Sequence, residues 1–246
     1  MVEYDKYVGY SMPSQCGLYP PPPYKYRNTR ALILFFQCAP GVKEKYLPPE
    51  LESIENGFDT CIILDYPDSS IDPYYESLIT LSCEHNEIPG EFVFSIFVDT
   101  DDALAAGREI WGIPKKMGEI YLSSLEDNKV RGTVTRKGIT LLDVEVDILN
   151  NPPGLDPKDM FANMPFYNLK FIPDVADNSK PALRQLTGVT LKIEDIHKNF
   201  AIIPKSIKTN QSQFDIFHEI LSDANKEIGG FYVEYDFILP NGQVLE

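Results

Sequence analysis

The 246-residue chain is short of positive charge: 22 Lys and Arg stand against 37 Asp and Glu, a formal net charge of −15. That imbalance argues against non-specific binding to nucleic acid or to an anionic membrane, and it obliges any small acidic ligand to find a local cationic pocket. No apolar run approaches the ~20 residues that span a bilayer. The opening MVEYDKYVGY lacks the charged-then-apolar layout of a signal peptide, so a cytoplasmic protein is expected. There is no GxGxxG, no GxxxxGK[ST] and no GxSxG, which leaves nucleotide-binding and serine-hydrolase chemistry without local support. Cys16, Cys38, Cys61 and Cys83 form no CxxC pair, and His85, His197 and His218 have no partner at zinc-ligand spacing. Neither disulfides nor a metal site is expected.

What is present is the composition of a folded protein, with 43% hydrophobic and 24% charged residues. The four consecutive prolines in YPPPPYKY (19–26) favour extended geometry and suit an N-terminal arm or edge cover, taken as residues 1–23. Apolar or β-branched runs predict strands at 31–37, 60–64, 77–83, 92–98, 121–125, 130–135 and 139–148, with a last one over 231–239 closing the chain. The turns at 126–129 and 136–138 join the runs on either side into antiparallel hairpins. Helical signals are few: 41–47 before two prolines, a short helix capped by Asp99 or Thr100, and 212–225. The pattern predicts an α+β fold, a single domain over 1–246 built on a curved antiparallel sheet closing into a cone or barrel. The proline-rich stretch 151–157 is the best boundary candidate, but strand-like runs continue on both sides of it.

One segment concentrates chemistry: Gly107-Arg108-Glu109-Ile110-Trp111-Gly112-Ile113-Pro114-Lys115-Lys116-Met117-Gly118. Pro114 ends the preceding helix and sets the lysines on extended or turning backbone among apolar side chains. An unshifted lysine is neutral in fewer than about one molecule in a thousand at pH 7, and making it mostly free amine requires ~5 kcal/mol of destabilisation of the ammonium. A neighbouring ammonium ~6 Å away supplies about 3 kcal/mol at an effective dielectric of 20, and burial against apolar walls can supply the rest. On a regular strand Lys115 and Lys116 point to opposite faces, and desolvation must then dominate.

These residues resemble the lysine motif of the acetoacetate decarboxylase family. Pro73-Tyr74-Tyr75-Glu76-Ser77 resembles the family's tyrosine-x-glutamate stretch, and Tyr24-Lys25-Tyr26 and Tyr167 to Pro173, with Pro181 and Arg184, resemble further segments. The resemblance covers about residues 20–239. It implies a curved sheet forming a cone around the site, a homo-oligomer, and chemistry without metal or organic cofactor. Lys115 would be the Schiff-base nucleophile, Lys116 its electrostatic helper, and Glu76 a proton relay or positioning group. Acetoacetate decarboxylase is itself the standing example of a lysine activated by desolvation or a cationic neighbour. The expected substrate is acetoacetate or a related small 3-oxo acid.

Two positions depart from the family pattern. Thr29 stands where the family's arginine is expected, which leaves Arg30 and Arg27 as candidates for the substrate carboxylate, although a one-residue shift turns a strand side chain to the other face. Cys61 stands where a second glutamate is expected and reads as a buried small hydrophobe. The departures leave room for aldolase or dehydratase chemistry on another oxo acid, and an inert ligand-binding barrel is the non-enzymatic alternative.

Overall fold

A computed structural model describes residues 11–13, 16–149, 158, 161, 163–222 and 229–245. The boundary candidate at 151–157 lies outside them, as does most of the arm before residue 16. The chain opens with β1 (Tyr24–Phe36), a short helix α1 (Val42–Tyr46), β2 (Glu52–Ser53), β3 (Asp59–Tyr66) and β4 (Asp68–Ser69). Next come β5 (Tyr74–His85), β6 (Ile88–Val98), helix α2 (Asp101–Ala106) and a π-helical turn at Gly107–Trp111. Then follow β7 (Lys115–Met117), β8 (Glu119–Leu122), β9 (Lys129–Arg136) and β10 (Ile139–Ile148). The last part holds β11 (Phe166–Pro173), β12 (Pro181–Val189), β13 (Lys192–Thr209), helix α3 (Phe217–Ser222), β14 (Gly230–Leu239) and β15 (Gln243–Leu245).

The strands share one mixed sheet in the order β15-β12-β11-β6-β5-β3-β1-β14-β13-β10-β9-β8, with β2, β4 and β7 attached at its sides. Pairing is antiparallel except where β11 and β7 each lie parallel to β6. The expected hairpins at β8–β9 and β9–β10 are present. The expected closure is not: among the described residues no pairing joins β15 to β8. The sheet folds over instead, so that β8 lies against the faces of β3, β5 and β6 and not against an edge strand. Nor does the 231–239 strand close the chain, since β15 follows and pairs with β12.

Side-chain alternation divides β1, β3, β5, β6 and β14 into two apolar layers. One face presents Leu32, Leu34, Cys61, Ile63, Ile79, Phe97 and Tyr232 to the folded-over strands β8, β9 and β10, whose Leu122, Val134 and Val144 complete a filled core. The other face presents Ala31, Ile33, Ile62, Leu64, Leu78, Val98 and Phe237. Ala103 and Ala106 of α2, Trp111 and Ile113 of the following segment and Val189 of β12 cover it. This second layer is the one that contains the site.

The lysine motif is anchored to this cover at several points. Trp111 is 2% exposed, donates from Nε1 to the Pro240 carbonyl at 3.0 Å, and meets Tyr24 edge-on at 5.5 Å. Its own carbonyl accepts the Thr187 hydroxyl at 2.6 Å. Gly112 ends the π turn with φ 76, and a Cβ there would come 2.4 Å from Lys170 Cβ, so only glycine fits. The expected helix therefore runs out of α geometry at Gly107, and π-helical turns of this kind recur at functional sites.

Candidate active site

Pro114 releases the chain into β7, whose three residues pair with β6 in the register Ile96 to Lys115 and Phe97 to Lys116. The register decides the fate of each lysine. Ile96 belongs to the hollow layer and Phe97 to the filled one, so Lys115 enters the first and Lys116 the second. Lys115 is 6% exposed, and its Nζ lies 2.7 Å from Oε2 of Glu76, itself buried on β5. The Lys115 stem crosses Gly107 closely: a Cβ on that glycine would come 2.6 Å from Cδ and 2.7 Å from Cε. The missing side chain at 107 is what lets Lys115 extend to Glu76.

The pair borders a cavity of about 80 Å³. Its walls are apolar or aromatic apart from a few polar groups, and four tyrosines, Tyr26, Tyr66, Tyr74 and Tyr235, supply most of these. Tyr66 donates to Oε1 of Glu76 at 3.1 Å, so both carboxylate oxygens are engaged, one by a tyrosine and one by the lysine. Tyr26 and Tyr74 share a hydrogen bond at 3.0 Å. The Tyr74 ring faces Lys115 Nζ at 5.3 Å from its centroid, within the range of a cation–π contact. Burial first, and then the neighbouring Glu76 charge, pushes the Tyr66 phenol well above its ordinary range, so it remains a donor.

Of the residues named from sequence, Lys115 and Glu76 are brought together; Lys116, Arg30 and Arg27 are not. Lys116 is on the opposite face, ion-paired with the buried Asp215 and 4.8 Å from the Phe97 centroid. The Lys116 ammonium, expected from sequence to act on Lys115 by repulsion, is thus held by a counter-charge in the other layer. Arg30 likewise points into the other layer, where Nε donates to Asp65 at 2.8 Å and a terminal nitrogen donates to the Ser123 carbonyl at 3.2 Å. Arg27, at an irregularity in β1, pairs with Glu194 near Asp236 on the half-exposed rim. Lys115 is the single cationic side chain among the described lining residues of the cavity.

The two departures have clear placements. Cys61 faces the filled core, where burial pushes its thiol up to about 12, as expected of an inert buried cysteine. Thr29 lies on the cavity side of β1, opposite Tyr235 of β14, and is 0% exposed. Sequence reasoning missed Tyr26, Tyr66 and Tyr235 and the role of Gly107. The tyrosines sit on separate strands, so no local spacing unites them.

The acetoacetate decarboxylase (ADC) family profile matches residues 8–246. The chain belongs to the acetoacetate decarboxylase family. Among curated relatives, the acetoacetate decarboxylase of Ralstonia nicotianae is 24% identical over 217 residues, covering 87% of this chain and 83% of that protein. The crystal structure of acetoacetate decarboxylase from Legionella pneumophila superposes with a TM-score of 0.83 at 26% identity, covering 96% of this chain and 93% of that one. The enduracididine biosynthesis enzyme MppR complexed with pyruvate shares the fold at a TM-score of 0.75 and 19% identity, covering 97% and 98% of the two chains. Membership of the acetoacetate decarboxylase family makes this protein a decarboxylase or a closely related ADC-like enzyme.

Proposed function

We propose that the protein decarboxylates a small 3-oxo acid, acetoacetate or a near relative, through a Schiff base on Lys115. The observation that carries the reading is the 2.7 Å approach of Lys115 Nζ to Glu76 Oε2, both buried, at a largely apolar cavity. Glu76 is in reach to take a proton from Nζ. The freed amine adds to the ketone carbon, and Glu76 gives the proton back to the departing hydroxyl, so that water leaves and an iminium remains. The electron pair of the bond to the carboxylate then moves into the iminium, carbon dioxide departs, and a neutral enamine remains. A proton taken up from solvent water and relayed by Glu76 reaches the enamine carbon, and water hydrolyses the resulting iminium to release the ketone and restore the Lys115 ammonium beside the Glu76 carboxylate.

Each part of the site has a task in this sequence. Tyr66 holds Glu76 in place through Oε1. The Tyr74 ring lies where it stabilises a cationic nitrogen. The apolar walls favour the step in which a zwitterion becomes a neutral enamine, because charge is lost there. At ~10–15 Å³ per water the cavity has room for about half a dozen waters, the scale of a small 3-oxo acid. The lack of any second cation in the described lining also favours release of the carboxylate over aldolase or dehydratase chemistry that must keep it.

The test is product analysis on a panel of 2-oxo and 3-oxo acids with the protein and its Lys115→Ala variant. Carbon dioxide and the matching ketone from a 3-oxo acid, lost in the variant, are the expected result. Products that retain the carboxylate would instead support the aldolase or dehydratase reading.

A further inference from the structure

We infer that Tyr235 is a substrate-contacting, specificity-determining residue, whose neutral hydroxyl receives the acid group of the 3-oxo acid while Lys115 takes the ketone. This rests on the Schiff-base reading above. Of the four tyrosines at the cavity, three have their hydroxyls committed, Tyr66 to Glu76 and Tyr26 and Tyr74 to one another. Tyr235 is 4% exposed and has no hydrogen-bond partner among the described residues. Burial, and secondly the Glu76 charge, hold its phenol above the ordinary range, so it carries its proton as a donor.

The surroundings of Tyr235 fix its direction and leave space beside it. Phe237 lies against the ring at 5.3 Å with planes 25° apart, and Phe161 stacks at 6.4 Å with planes 7° apart. Thr29, its cross-strand neighbour on the same face, is short, and its hydroxyl is buried without a partner. Tyr235 thus lines the cavity with a hydroxyl that no described residue engages, and the buried Thr29 hydroxyl opposite it on β1 is likewise unpaired. A donor that lines the cavity without a protein acceptor is free to take a ligand oxygen. The carboxylate is the oxygen-rich end of a 3-oxo acid, and the opposite end is consumed by Lys115. A neutral donor also suits a group that leaves as uncharged carbon dioxide. A cation would hold the carboxylate most strongly before the bond breaks, a gain in ground-state binding that does not raise turnover.

The experiment compares the unmodified protein with Tyr235→Phe, which keeps the ring and deletes the hydroxyl. Two ligands are used: acetoacetate for steady-state kinetics, and acetylacetone, a diketone without a carboxylate, for adduct formation on Lys115 followed by mass spectrometry. Loss of a hydrogen bond to a charged group predicts a fall of about 10- to 100-fold in kcat/KM for acetoacetate, carried mainly by KM. The acetylacetone adduct should form with unchanged concentration dependence, which also shows that the variant is folded. An unchanged KM for acetoacetate, or an equal loss for both ligands, would overturn the role of Tyr235 while leaving Lys115 chemistry standing. Absence of any Lys115 adduct in the unmodified protein would overturn the Schiff-base reading and this inference with it.

Discussion

The two faces of one sheet have opposite characters here. On one, Leu32, Ile63, Ile79 and Phe97 meet the folded-over strands and fill the space between them. On the other, residues one step along the same strands, Ile33, Ile62, Leu78 and Ile96, surround a cavity with a lysine and a carboxylate at its edge. Lys115 and Lys116 carry the same side chain on adjacent residues and differ only in which face they join. Lys116 meets Asp215 and is one-third exposed, whereas Lys115 is 6% exposed and meets Glu76 beside a largely apolar cavity. The two lysines differ in placement and not in residue type.

The comparison is broken most severely by removing Lys115. Lys115→Ala should lower kcat/KM for the substrate on the order of 10⁴-fold or more, as loss of a covalent nucleophile does, and steady-state kinetics will show it. Next comes its partner: Glu76→Gln should cost on the order of 10³-fold in kcat, within the usual range for a general acid–base group. Gly107→Ala pushes a methyl group into the Lys115 stem, and a misplacement of about 1 Å predicts a loss near 10²-fold in kcat with Lys116 and its ion pair untouched.

On the filled face the effect should move from rate to stability. Lys116→Gln leaves the buried Asp215 without its counter-charge, so the folded state should lose about 1–3 kcal/mol in denaturant titration while kcat/KM stays within about 10-fold. A loss of 10³-fold or more in this variant would show that the two faces are coupled after all.

A second carboxylate sharpens the contrast within the cavity face itself. Glu91 of β6 is buried, with the Thr80 hydroxyl at 2.5 Å as its one side-chain hydrogen-bond partner among the described residues, and burial pushes its carboxyl up to about 8. The folded protein thus keeps the Glu91 proton through a range in which the unfolded chain, near 4.5, releases it. Stability from this group is full below pH 4.5 and is lost as pH rises toward 8. Glu91→Gln should flatten that decline, with the gain over the unmodified protein growing to ~2–5 kcal/mol by pH 8 in thermal or denaturant unfolding.

Much of the sheet was readable from local pattern, because β1, β3, β5, β6, β10 and β14 contain continuous or alternating apolar runs that few other structures accommodate. β13 has 18 residues of mostly half-exposed or exposed side chains, so its pairing with β10 and β14 leaves no apolar signature. β7 is only three residues long and owes its existence to pairing with β6. The 212–225 helix begins later than its periodicity implies, at Phe217, because the residues before it form a turn with a Ser212–Asp215 bridge. Within the site, Lys115 and Glu76 were recognisable from contiguous motifs. Arg30, Arg27 and Lys116, also named as site groups, lie away from the cavity, because their placement depends on which face a strand residue takes. The tyrosines Tyr26, Tyr66 and Tyr235 come from three strands that only the folded sheet brings together.

Borohydride trapping with acetoacetate, followed by mapping of the adduct by mass spectrometry, tests the central claim most directly. The account predicts an isopropyl group on Lys115, the mark of an imine that has lost carbon dioxide, and an unmodified Lys116. An adduct on Lys116, or no adduct on either lysine under turnover, would contradict it.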